Sequence, residues 1–96
     1  MAGATKPKWE DFESELKQRE QAIASMLPQH VSKQRFLNSA IAAVKQTPDL
    51  LTATPRSLFA AITKSAQDGL LPDGREGVIT LYKEKHGDAW VKVAQW

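Results

Sequence analysis

The chain has 96 residues, enough for one small domain that buries about two thirds of its unfolded surface. Its 13 Lys and Arg residues exceed its 11 Asp and Glu residues by only two, so the net charge alone does not indicate a nucleic-acid partner. The absence of cysteine excludes disulfides and zinc-thiolate sites. The sequence also has neither the apolar core of a signal peptide nor an apolar run of the ~20 residues that cross a bilayer. We therefore expect a soluble intracellular protein that does not contact a membrane.

The basic residues are concentrated in the middle of the chain. Residues 31–72 carry five basic and two acidic side chains, whereas residues 1–30 carry four and five and residues 73–96 carry four and four. The middle segment therefore has a net charge of +3. Because dispersed charges on helices are commonly a solvated face, this excess gives only modest support to a polyanionic partner.

A first helix is predicted from about Pro7 to Leu27, with Pro28 ending it. Apolar residues recur on one face of this segment at spacings of three, four and seven: Trp9, Phe12, Leu16, Ile23 and Leu27. The stripe is narrow, and such a stripe packs either on its own domain or on a neighbouring subunit. The first of these is the commoner use.

Two further helices follow. Ser32 is a predicted N-cap for a second helix that ends near Gln46. A third is predicted over Pro55–Asp68, with a proline in its first turn and Gly69 as its left-handed stop. Small side chains on this third helix are expected to let another backbone approach closely; they are Ala60, Ala61, Ser65 and Ala66.

From Arg75 onward the periodicity changes to two, which predicts β-structure. Val78, Thr80 and Tyr82 alternate with Ile79 and Leu81, so we expect this strand to be covered on both faces. The segment Lys83–Asp88 is the predicted connection of a hairpin. The segment Ala89–Trp96 is its predicted returning strand.

The predicted fold class is α+β, with three N-terminal helices followed by an antiparallel β-hairpin. A hairpin by itself is only marginally stable in water. We therefore expect the hairpin to belong to a larger sheet that is missing from this chain.

Candidate catalytic residues are absent from the sequence pattern. His30 and His86 belong to no metal-ligand spacing, and no serine occupies a Gly-x-Ser-x-Gly elbow. The three glycines Gly69, Gly74 and Gly77 are not followed by the Lys-Ser/Thr pair of a phosphate loop. We expect a protein that is not an enzyme and that uses no metal or cofactor.

Residues suited to nucleic-acid binding are interleaved in the predicted hairpin. Proteins that hold single strands combine basic side chains with aromatic rings on which bases stack. The basic residues are Arg75, Lys83, Lys85 and Lys92, and the aromatic ones include Tyr82 and Trp90. The alternative interpretation is a half-buried sheet whose aromatic residues pack on the helices and whose lysines protect an edge.

The sequence from Leu27 onward resembles the N-terminal region of the RecT family of phage and prophage single-strand annealing proteins. The resemblance lies in Leu27-Pro28, in the run KQRFLNSAIAAVKQTPDL, in SLFAAI, and above all in QDGLLPDGRE, which begins at Gln67. It divides the chain into a variable N-terminal lead-in, residues 1–26, and the N-terminal part of a RecT-like DNA-binding core, residues 27–96.

The resemblance implies ATP-independent annealing of single-stranded DNA in homologous recombination, with binding of the annealed duplex as well. It further implies a homo-oligomer in the form of a ring or filament, an exonuclease partner, and a location in the cytoplasm of a bacterial host. Family members are longer than this chain, so we expect it to be the N-terminal portion of a longer protein.

Family members bind DNA in a positively charged groove between the helices and the sheet, chiefly through the backbone. Carried onto the matching segment, this implies phosphate contacts by Arg75, Lys83 and Lys85, with a lesser contribution from Lys92. Tyr82 and Trp90 are the expected stacking residues. The alternative function is a small helical interaction or oligomerisation module without DNA binding of its own, which would use the stripe of the first helix and the small-residue face of the third.

Overall fold

The structure, a computed structural model, describes residues 9–96 of the chain. Its helices precede a single pair of antiparallel strands, so the predicted α+β class is confirmed. The elements are α1 (Trp9–Gln18), α2 (Glu20–Met26), α3 (Lys33–Gln46), a 3₁₀ helix (Pro48–Thr52), α4 (Pro55–Asp68), β1 (Thr80–His86) and β2 (Ala89–Gln95).

The predicted first helix is divided in two, which makes four α-helices over the described residues where three were predicted. The break lies at Arg19, whose φ of −95° and ψ of 2° depart from helical values. The Arg19 guanidinium lies 4.7 Å from the ring centroid of Phe59. The spacing of apolar residues along the first helix could not predict this contact with a distant helix. The predicted start at Pro7 lies outside the described residues.

The other two predicted helices begin where their capping residues indicated. The Ser32 hydroxyl accepts a hydrogen bond from the N–H of Arg35 at 3.2 Å, and α3 runs from Lys33 to Gln46. The Thr54 hydroxyl accepts one from the N–H of Ser57 at 3.3 Å, and α4 follows directly. Each cap satisfies a donor that the first helical turn leaves without a partner.

Gly69 ends α4 with a φ of 71°, as predicted. Its N–H donates to Ala66 at 3.0 Å, and the N–H of Leu70 donates to Ser65 at 3.2 Å, the paired bonds of a Schellman motif. A Cβ on Gly69 would stand 2.7 Å from Cγ of Pro28. Glycine is therefore favoured at this position for two reasons: its backbone has a positive φ, and a side chain would clash with Pro28.

The hydrophobic core is built around α4. Leu58, Phe59 and Ile62 are buried on its inner side, where Phe12 stacks on Phe59 with ring centroids 5.6 Å apart. The other large buried side chains come from every helix and from the segment before β1: Leu16, Ile23, Phe36, Leu37, Val44, Leu50, Leu71 and Ile79. The apolar stripe of α1 thus packs within its own chain.

The backbone that approaches the small-residue face of α4 is strand β2. The Ser57 hydroxyl accepts a hydrogen bond from the N–H of Ala94 at 3.0 Å, and the N–H of Thr54 donates to the carbonyl of Lys92 at 3.0 Å. Ala61, Ser65 and Ala66 are buried, whereas Ala60, the fourth residue of the predicted small-residue face, is exposed. The base of the hairpin is therefore fixed to the N-terminal half of α4.

Two predictions about the strands are wrong. Strand β1 continues to His86, so the connection is the two-residue turn Gly87-Asp88 and does not begin at Lys83. The strand is also not covered on both faces, since Val78 is 57% exposed and Tyr82 is 43% exposed. The physical reason is that the core packs on only one face of this segment, that of Ile79 and Leu81, and the face with Val78 and Tyr82 is left uncovered. Nearer the turn the hairpin extends beyond the helices, and residues 83–90 are all exposed.

Candidate nucleic-acid interface

The turn of the hairpin fixes which side chains share a face. Gly87 has a φ of 64° at the first central position, the position where a type II′ turn requires glycine. The resulting register places Lys83 opposite Lys92 and Lys85 opposite Trp90. Because side chains alternate along a strand, these four residues lie on one face, which we call the lysine face.

The lysine face brings like charges together without a counter-charge. The carbonyl of Lys92 is turned outward to Thr54, so Lys83 and Lys92 form a non-hydrogen-bonded pair, in which Cα atoms are about 4.5 Å apart. Like charges directly opposite each other destabilise a sheet. Within residues 9–96, none of the three lysines of this face forms a salt bridge to a carboxylate.

Trp90 lies on the lysine face between Lys85 and Lys92. Its side chain is 64% exposed, and Nζ of Lys85 stands 5.9 Å from its ring centroid, at the outer limit of a cation–π contact. An indole that is exposed to this extent contributes little to the core. The exposed indole ring instead offers a flat apolar surface next to the lysine ammonium groups. An aromatic ring and neighbouring positive charges are the two components of a single-strand binding surface.

The base of the same face is anchored to the core. Ala94 is buried, and Leu81 packs against the core cluster from the opposite strand. The lysine face therefore continues, toward the turn, the face whose base packs on the core. Lys92 is half-buried next to this packed base, and Lys85 is exposed next to the turn. A ligand on it would meet side chains that the register has already placed side by side.

Tyr82 is on the opposite face of the hairpin from the lysines. It lines a groove between the hairpin and α4, together with Lys64, Glu84 and Trp96. The structure thus separates Tyr82 from Lys83 and Lys85, its neighbours in sequence. It also adds Lys64, which sequence reasoning missed as an individual residue, although the excess of basic residues in the middle of the chain was a signal for it.

Arg75 belongs to the loop between α4 and β1. In this loop the Asp73 carboxylate accepts hydrogen bonds from the N–H groups of Glu76 at 3.1 Å and Arg75 at 2.8 Å. These bonds stabilise the charged carboxylate and so hold the pKa of Asp73 below its usual value. Glu76 in turn accepts a hydrogen bond from the N–H of Leu71 at 2.7 Å.

This loop is held at the base of the hairpin. The ring of Trp96 lies directly over Gly77, where a Cβ would overlap it. Lys85 is next to the turn at the other end of β1, about 17 Å from Thr80 at about 3.3 Å per residue. Arg75 therefore does not belong to the lysine face, although its side chain is exposed.

Metal ligation is not supported by the geometry of the described residues. No group of three or more His, Asp or Glu side chains within residues 9–96 is arranged to hold a metal ion. His86 lies on the face opposite the lysines, where its Nε2 is 2.7 Å from the Glu84 carboxylate.

None of the helices in the described part of the chain has the length and apolarity needed to cross a bilayer.

Comparison with known proteins gives one positive result. The model of the RecT family matches residues 34–95, which is well over half of the chain and includes α3, α4 and both strands. No curated protein and no solved structure matches the chain.

Proposed function

Because this chain belongs to the RecT family, whose members are annealing proteins of phage-type recombination, we propose that it binds single-stranded DNA and takes part in ATP-independent annealing of complementary strands. The single observation that carries this proposal is the lysine face. Lys83 and Lys92 stand opposite each other without an acidic partner, beside the exposed ring of Trp90.

Phosphate groups are the ligands that such a face would favour. A strand laid along the hairpin places negative charge between Lys83 and Lys92 and so removes their mutual repulsion. Lys85 adds a third phosphate contact nearer the turn, and the Trp90 ring offers a surface for one base. Arg75 extends the contacts at the hairpin base, and Tyr82 offers a second ring from the groove on the α4 side.

Binding through the backbone explains how annealing would proceed without ATP. Contacts to phosphates carry no sequence information, and they leave the pairing edges of the bases free. Neutralising the charge of one strand also lowers its repulsion of a complementary strand. The free energy of base pairing then drives the reaction, and the protein supplies charge neutralisation and an extended, accessible strand.

The wider setting is proposed from the family. A ring or filament of many copies would align the lysine faces along one strand, and an exonuclease partner would supply that strand by resecting duplex DNA. The annealed duplex would stay bound through the same backbone contacts. We place this activity in the cytoplasm of a bacterial host, encoded by a phage or prophage.

The proposal is tested by fluorescence anisotropy with a labelled single strand of about 30 nucleotides. At low salt we expect the Lys83→Gln/Lys85→Gln variant to bind at least about tenfold more weakly than the parent. Its plot of log affinity against log salt should be shallower by about 1.4, since each phosphate contact contributes about 0.7 for single strands. Addition of ATP should change neither quantity.

A matched control removes the same charge elsewhere. Lys17→Gln/Lys45→Gln takes two exposed lysines from α1 and α3, and it should leave both the affinity and the salt slope close to those of the parent. Equal losses in the two double variants would show that only net charge matters, and the lysine face would lose its role. Binding by the parent that does not respond to salt would sink the proposal altogether.

A further inference from the structure

A second basic surface lies on the outer side of α4. Arg56, Ala60 and Lys64 are spaced four residues apart, so they form one exposed row along the helix. Within residues 9–96 neither Arg56 nor Lys64 forms a salt bridge. The short side chain of Ala60 leaves a depression between the two long basic ones.

Arg19 adds a third cation to this depression from the junction of α1 and α2. Its guanidinium is held over the ring of Phe59 at 4.7 Å and also contacts the Glu15 carboxylate at 2.9 Å. Thr63 and Gln67 complete the lining with neutral hydrogen-bonding groups. Among the described residues that line the depression, three are basic and none is an aspartate or glutamate, and the Glu15 carboxylate that pairs with Arg19 lies outside the lining.

This surface and the lysine face lie on different sides of the hairpin. Lys64 borders both the depression and the groove that contains Tyr82, and Tyr82 is on the hairpin face opposite the lysines. A single strand lying on the lysine face would have to pass around the hairpin to reach Arg56. The two basic surfaces are therefore separated by the hairpin itself.

We propose that the basic row of α4, formed by Arg56 and Lys64 with Arg19, is a second phosphate-binding surface that holds another nucleic-acid strand apart from the one on the lysine face. This inference rests on the proposed function, since it assigns the partner strand its own place. A polyanionic backbone fits the row because Arg56 and Lys64 are about 12 Å apart along the helix at 1.5 Å per residue, the span of about three to four nucleotides of a stacked strand.

Two-dimensional NMR of the 96-residue chain tests the inference. The probe is a thymidine oligonucleotide of about four nucleotides, which at about 3.4 Å per nucleotide spans about 14 Å and so matches the length of one surface. We expect the amides of residues 82–92 to shift during the first equivalent and those of residues 56–67 during the second. In the Arg56→Glu variant the second phase should disappear while the first persists.

Each other outcome is decisive. Shifts confined to residues 82–92 at every ratio would overturn the second surface and leave the proposed function intact. Shifts of both segments in one phase that are lost together in the Arg56→Glu variant would also overturn it, because the two segments would then report a single binding event. Shifts confined to residues 56–67 would remove the lysine face from the proposed function and leave the α4 row as the strand-binding surface.

The variant also has a readout in annealing. Arg56→Glu should retain first-strand affinity within about twofold, yet capture a complementary strand at least about tenfold more slowly, a loss that Lys17→Gln/Lys45→Gln, which changes the net charge equally, should not reproduce. Unchanged capture would show that the row is a solvated helix face. Inhibition of capture by an acidic peptide but not by a noncomplementary strand would assign the row to a protein partner and overturn the inference.

Discussion

Gly77 and Trp96 form one close contact between the loop before β1 and the C-terminal end of the hairpin. The Nε1–H of Trp96 donates to the Asp68 carboxylate at 2.7 Å, at the C-terminal end of α4. The ring then lies over Gly77, where no side chain intervenes. Gly77 does not have a positive φ, so the requirement for glycine there is one of space and not of backbone conformation.

Gly77→Ala is therefore expected to destabilise the protein by about 1–3 kcal/mol, the usual cost of overpacking, because the new methyl group displaces the Trp96 ring. Urea unfolding measures this cost. In a Trp96→Ala background the same substitution should cost much less, since the ring that it displaces is gone. An equal cost in both backgrounds would mean that Gly77 is constrained by something other than Trp96.

The hairpin is an element in which stability and the proposed function oppose each other. A cross-strand pair of lysines weakens the hairpin, and replacing one of them with an acid should strengthen it. The elements beneath it compensate, since α4 holds β2 through Ser57 and Thr54. A sheet built only for stability would not place Lys83 opposite Lys92.

Lys92→Glu is the substitution that separates the two demands. It should raise the free energy of unfolding by about 0.2–1 kcal/mol through a new pair with Lys83, and it should weaken single-strand binding at least about tenfold. Thermal unfolding and anisotropy measure the two effects. Lys92→Gln should fall between the parent and Lys92→Glu in both assays. A loss of stability together with binding would instead assign Lys92 a packing role.

At the scale of the whole molecule, both surfaces that motivated the interaction-module hypothesis are occupied within the chain. Phe12 and Leu16 of the α1 stripe are buried in the core, and β2 packs on α4, whose small residues are buried except for Ala60. Among the described residues, two exposed clusters are basic, the lysine face and the row on α4. This distribution favours a polyanionic partner, although the net charge of the chain is only +2.

Phe12→Ala should accordingly destabilise the fold by about 3–5 kcal/mol, since it removes a stacked core ring. Small domains have about 5–15 kcal/mol in total, so the loss is a large fraction of their stability. Urea unfolding measures it, with Glu13→Ala on the exposed side of α1 as a control that should change little. A variant with normal unfolding and impaired self-association would revive the oligomerisation surface.

Sequence reasoning found the residues of the lysine face but not their arrangement. Lys83, Lys85, Lys92 and Trp90 are recognisable by type, and the alternation of β2 put Trp90 with Lys92. The residue that faces each of them across the hairpin depends on where the turn lies. Because the predicted connection began at Lys83, the prediction left the second half of β1 out of the strand. Lys64 was missed because its proximity to the hairpin arises from the packing of β2 on α4.

What the sequence determined by itself is local: the ends of α3 and α4, the left-handed stop at Gly69 and the change to β-structure before Tyr82. These features depend on residues within a few positions of each other, whose caps and backbone preferences act before the chain has folded. The tertiary structure alone decided the break at Arg19, the exposed half of the hairpin and the separation of Tyr82 from the lysines. The break at Arg19 accompanies a contact with the distant Phe59, and the other two follow from the continuation of β1 beyond the helices. Both depend on how distant elements pack, which no short stretch of sequence encodes.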